Sequence, residues 1–154
     1  MLIRKAGNTQ SDCKLVFNLS NDTVVRASSF NQGEIKYSDH CGWFEKTVAD
    51  KNVLFFLVFE DDTEKDFVGQ IRFRRDSVDS TECVISLSIT EQFRGKHIAE
   101  KFMELGIEEI RRNWPLINTV IAEVKDGNTP SNKLFQSEGF ELMSRINMYE
   151  LKLT

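Results

Sequence analysis

The stretch EQFRGKHIAEKF, residues 91–102, closes one element and opens another. Arg94, Gly95 and Lys96 make a short basic turn. Beyond it, Ile98, Phe102 and Leu105, with Ala99, Met103, Ile107 and Ile110, recur at helical spacing and predict a long amphipathic helix. No Ser, Thr, Asp or Asn stands at its head to cap it. The first N–H groups of a helix have no acceptor inside the helix, and they form the positive end of its dipole. An uncapped start flanked by Arg and Lys therefore suits an anion, and a phosphate above all. On this reading residues 94–99 form a pyrophosphate cradle. The β-carbon of His97 disfavours positive φ, so a helical backbone is expected there.

The segments on either side support a sheet that feeds this turn. ECVISLSI (82–89) alternates Cys83, Ile85, Leu87 and Ile89 against Val84, Ser86 and Ser88. Before it, FVGQIRFRRD alternates Val68, Gln70 and Arg72 against Phe67, Gly69, Ile71 and Phe73, and VLFFLVF (53–59) is an apolar run of strand length. Short links between the three predict an antiparallel meander. Upstream, residues 1–6 read as a strand. A helix to Ser20 follows, capped by Ser11 or Asp12; residues 21–35 read as a loop or broken helix. Ser38 is expected to cap a helix bearing Trp43, Phe44 and Val48 on one side. Downstream, Trp114-Pro115 ends the long helix, and NTVIAEVK reads as a strand. PSNKLFQSEGF reads as a short helix, and ELMSRINMYELKL as a last strand or strand pair. The order β-α-α-β-β-β-α-β-α-β describes an α/β protein with a mixed, mostly antiparallel sheet flanked by helices, expected as one domain over 1–154.

A net charge of −4 and a pI near 5.3 argue against non-specific nucleic-acid binding. No apolar run approaches the ~20 residues of a membrane span, and no N-terminal signal segment is evident. Cys13, Cys41 and Cys83 are far apart in sequence and lack zinc spacing, so no metal is expected; the pattern suits a reduced, cytoplasmic protein.

With RGKHIA (94–99) and NTPSNKLFQSEGF (128–140) in this order, the chain resembles the GNAT family of N-acetyltransferases. Arg94 and Ala99 match the ends of that family's acetyl-CoA motif, while His97 stands where a glycine is usual. Asn128, Ser131, Leu134, Phe135, Gly139 and Phe140 match a second block. The resemblance implies a GNAT fold with splayed central strands and acetyl-CoA as cofactor. It places the pyrophosphate on Arg94, Gly95, Lys96, His97, Ile98 and Ala99. The pantetheine arm would lie between residues 87–89 (Leu87, Ser88, Ile89) and 122–124, with Asn128, Ser131 and Phe135 alongside. A backbone N–H near Leu87 or Ile89 would polarise the thioester carbonyl.

The N-terminal half resembles GNAT enzymes that acetylate nucleotide-linked amino-deoxy sugars in nonulosonic acid synthesis, through Asn21-Asp22, Val25-Arg26, Ser29-Phe30-Asn31 and Ser38–His40 ahead of Trp43-Phe44. This implies a small-molecule amine as acceptor, with Arg26 on a diphosphate, Phe30 or Trp43 stacked on a base, and His40 near the cleft; Phe44 is expected in the core. No nucleic-acid or membrane partner is implied, and a homodimer is compatible with the sequence. Glu123 is the candidate base, with His40 as alternative. Phe135 replaces the tyrosine that many relatives use as acid, which leaves Ser131 as candidate. A protein Nα-acetyltransferase of the ribosomal-protein type and a non-catalytic acyl-CoA-binding module are the rival readings.

Overall fold

A computed structural model describes residues 1–30, 33–123, 128, 133–136, 141–142 and 148–153. The elements are β1 (Leu2–Lys5), α1 (Gln10–Ser20), α2 (Thr23–Ser28), α3 (Tyr37–Ala49), β2 (Val53–Phe59), β3 (Phe67–Arg74), β4 (Glu82–Ile89), α4 (Ile98–Asn113), β5 (Thr119–Glu123), β6 (Glu141–Leu142) and β7 (Met148–Lys152). Residues 133–136 are also helical. Among the described residues one sheet holds seven strands in the order β1-β2-β3-β4-β5-β7-β6. Only β4 and β5 run parallel; the other neighbours are antiparallel.

β2 explains why VLFFLVF shows no alternation, because every residue in it is buried and both faces are covered. Leu54, Phe56 and Val58 join Ile71, Phe73, Ile85, Phe102, Met103 and Ile110 in the core under α4. Phe55, Leu57 and Phe59 join Val16 and Phe44 under α1 and α3. A β-carbon on Gly106 would meet Ile71 Cδ1 at 2.6 Å and Phe73 at 2.9 Å, so glycine lets α4 settle against the sheet.

Several local expectations change. Thr9, not Ser11 or Asp12, caps α1, its side chain accepting from Asp12 N–H. Asp12 is buried instead and takes two hydrogen bonds from Arg4 at 2.8 Å and one from Gly7 N–H. Burial pushes the Asp12 carboxyl upward, but the Arg4 and Gly7 donors outweigh it and hold it below the usual carboxylate range. The region read as a loop contains α2, because Asp22 caps it by accepting from Val24 and Val25 N–H. Helix α3 starts at Tyr37 with no side-chain cap, so Ser38 lies inside it. Folding also joins two cysteines that are distant in sequence: Cys13 Sγ lies 3.7 Å from Cys41 Sγ, with burial pushing the Cys13 thiol up to about 11.

Candidate active site

The chain leaves β4 through a short 3₁₀ turn (Glu91–Phe93) and reaches α4 through Arg94–His97. Gly95 has φ 74°, and His97, the N-cap of α4, has φ 57° and ψ 25°. The helical backbone expected at His97 is therefore overturned: the turn needs two left-handed residues to aim the chain into α4. For a residue with a β-carbon this costs about 1–2 kcal/mol. The His97 ring points outward with its side chain 91% exposed, 3.5 Å from Glu100. No side chain caps α4, so its first N–H groups remain available at the positive end of the helix. Lys96 is exposed, while Ile98 and Ala99 are half-buried in the first turn. Arg94 does more than face outward: Nε donates to Ile89 O and Nη2 to Asp22 Oδ1, each at 2.9 Å. The α2 cap is thereby tied to the turn before α4.

β4 leads directly into this turn. β4 pairs with β3 as far as Ile89, opposite Gly69. Among the described residues its parallel ladder with β5 runs as far as Ile85 opposite Ala122. Ala122 thus belongs to the ladder rather than to the gap, and Val124 lies outside the described residues. Thr90 N–H donates to Val68 O on β3, and alternate residues of a strand direct their polar groups the same way. Ser86 and Ser88 therefore turn toward β3, and Leu87 and Ile89 turn N–H and C=O toward the gap. Arg94 occupies Ile89 O.

On the α1 and α3 side, Trp43 is 37% exposed and Phe30 62% exposed, while Phe44 is core at 1%. His40 moves out of the acceptor side: it is 2% exposed, with Nε2 2.9 Å from Cys13 O. Its burial lowers the imidazole below its ordinary value, as suits a neutral structural ring and not an accessible base. Arg26 ties the α1–α2 corner through Ser20 O, Gly33 O and Ser29 Oγ, which engages the guanidinium foreseen for a diphosphate. Glu123 is exposed at the end of β5. Arg74 pairs with Asp50, and Arg72 lies over aromatic rings. Asn128 is half-buried. Ser131 lies outside the described residues. Phe135 is buried, with its ring 6.0 Å from that of Tyr149. Sequence reasoning assigned neither Gln70 nor Arg72 a role at the acceptor site. Gln70 and Arg72 looked like the solvent face of an alternating strand, and only the helices packed over β3 place them inside.

The sequence matches the acetyltransferase (GNAT) domain over residues 1–141. The chain belongs to the GNAT family of acetyltransferases. Solved structures share the fold along the whole GNAT chain. A domain from Methanocaldococcus jannaschii is 21% identical with a TM-score of 0.82, covering 99% of this chain and 97% of that one. The protein yncA from Salmonella typhimurium, solved with its cofactor acetyl-CoA, is 19% identical at 0.78, covering 100% and 94%. Spermidine N-acetyltransferase from Vibrio cholerae, in complex with CoA and spermine, is 14% identical at 0.83, covering 98% and 94%. No curated protein sequence matches the chain. The cofactor of this GNAT domain is acetyl-CoA. The residues fit it, with the uncapped α4 start and left-handed turn for the phosphates and, for an extended amide-bearing arm, the β4 edge beyond its last pair with β5 among the described residues. Among the described residues no helix is long and apolar enough to cross a membrane.

Proposed function

We propose that this acetyltransferase acts in the cytoplasm on the primary amine of a nucleotide-linked amino-deoxy sugar. The observations that carry the reading are two exposed aromatic rings in the N-terminal half, Phe30 and Trp43, and a cation, Arg72, 5.0 Å from the centre of the Trp43 ring. Exposed rings suit stacking on a base, and a guanidinium suits a phosphate. A polyamine would bring only positive charge to Arg72.

Bound acetyl-CoA supplies the acetyl group as an activated thioester. The chain's own groups do the rest. The α4 N–H groups, Gly95, Lys96 and the half-buried Ile98 and Ala99 form the phosphate end. Leu87 and Ile89 offer backbone N–H groups on the gap side, and one such donor aimed at an acyl oxygen is typically worth ~3 kcal/mol in the reaction. Asn128 would hold an amide of the arm. Glu123, exposed at the β5 end, takes the ammonium proton directly or through water. An ordinary thiol titrates near ~8.5, so the departing group needs little acid help, and Ser131 is kept as its proton donor.

The test is transfer from acetyl-CoA to a UDP-linked 4-amino-4,6-dideoxy sugar, followed by thiol release and by mass of the product. Stoichiometric thiol and amide are expected. Transfer to a ribosomal-protein N-terminal peptide but not to the sugar would replace this reading with the peptide one.

A further inference from the structure

The polar residues of β3 that face α1 and α3 are unusually placed. Gln70 is 4% exposed, and its Oε1 is sealed from solvent with no hydrogen-bond partner. Arg72 lies two residues further along the same strand, hence on the same side. Its guanidinium sits 5.0 Å from the centre of the Trp43 ring and 5.4 Å from that of Phe55. The rings cover its faces by cation–π contact, but its N–H donors lie at the edge of the plane. Among the described residues none of those donors meets an acceptor, and no carboxylate pairs with Arg72. Burial, and second the like charge of Arg74, push its pKa down to about 10. A half-buried cation without a counter-ion is costly to hold, and leaving a buried amide oxygen unpaired adds to the cost.

The strand register shows where Arg72 stands in the sheet. Ser86 is the cross-strand partner of Arg72, and Ser88 that of Gln70. Both serines are half-buried and lie beyond the last β4–β5 pair among the described residues. Arg72 is therefore one strand spacing, about 4.8 Å, from the edge proposed to hold the acyl group.

We infer that Arg72 is the anion-binding residue of the acceptor site, taking a phosphate or carboxylate of the substrate in a two-pronged contact, with the Gln70 carboxamide as its neutral polar companion. The inference rests on the acetyl-transfer reading and narrows its substrate class to amines that carry an anion. Arginine suits this role because its planar fork matches both groups.

The experiment uses the full chain as wild type, Arg72→Met and Arg72→Lys. Three amines are compared: the UDP-linked amino-deoxy sugar, the same sugar without the nucleotide diphosphate, and glycine. Transfer is measured, and so is acceptor binding by calorimetry with CoA present. Wild type is expected to prefer an anion-bearing amine over the free sugar. The two anionic amines tell phosphate from carboxylate. In Arg72→Met that preference falls about 30-fold, mostly through KM, and Arg72→Lys recovers part of it. The free Arg72→Met protein should melt no lower than wild type, since a half-buried charge with no counter-ion among the described residues has been replaced by an apolar chain. An unchanged anion preference in Arg72→Met, or no binding of either anionic amine by wild type, overturns the inference. Arg72-dependent binding without transfer leaves the inference standing and removes the transfer reading instead.

Discussion

Asp12 and His97 show how far single residues depart from their local sequence signals. Asp12 looks like a cap but serves as the buried partner of Arg4, itself also bound to Glu64. Replacing it with Asn should cost about 2 kcal/mol, the usual worth of hydrogen bonds to a charged group. Because its folded value is depressed, its stabilisation is fully present above the ordinary carboxylate value near 3.8 and is lost as pH falls through the lower folded value. Urea unfolding at pH 7 and at pH 2 measures this: the gap between wild type and Asp12→Asn should be clear at the first pH and smaller at the second. His97 carries left-handed strain that glycine avoids. Gly's freer unfolded chain offsets part of the gain, so His97→Gly should stabilise by up to about 1 kcal/mol. Calorimetric melting reads the result, and a lower Tm would mean that the left-handed turn is relaxed in solution.

At the scale of elements, α4 joins the core to the candidate cofactor site. Its Gly106 faces Ile71 and Phe73 at contacts a β-carbon cannot keep. Gly106→Val should therefore destabilise by about 1–3 kcal/mol through overpacking, read from the denaturation midpoint at unchanged m. The turn before α4 is tied to α2 by Arg94 and Asp22, whose carboxyl burial raises but which the Arg94 and backbone donors bring below its usual range. Arg94→Glu breaks the tie and sets two carboxylates near the phosphate end. CoA binding by calorimetry should weaken by about tenfold or more, with the fold retained. Full-strength binding would place the anion elsewhere.

At the scale of the whole molecule, acetyl-CoA should stabilise the folded state by mass action, about 2.7 kcal/mol at 100 times its dissociation constant. A thermal shift against acetyl-CoA concentration measures this. A flat response at millimolar ligand would contradict the cofactor assignment.

The meander, the long helix after it and the Arg94–Ala99 turn were legible along the chain because each is written in local periodicity. Alternation marks β3 and β4, the 3.6-residue stripe marks α4, and Trp114-Pro115 stops it. The family resemblance was legible for the same reason, since its motifs are contiguous. What depended on folding is everything that joins distant segments. Nothing near Arg72 in sequence says that Trp43 and Phe55 will close over it. Nothing near His40 says that Cys13 O will take its ring inward. The parallel pairing of β4 with β5, Ile85 opposite Ala122, is likewise a matter of register between strands more than thirty residues apart. Burial and pairing are sums over neighbours brought in from elsewhere in the chain, so they exist only once the sheet and its helices have packed.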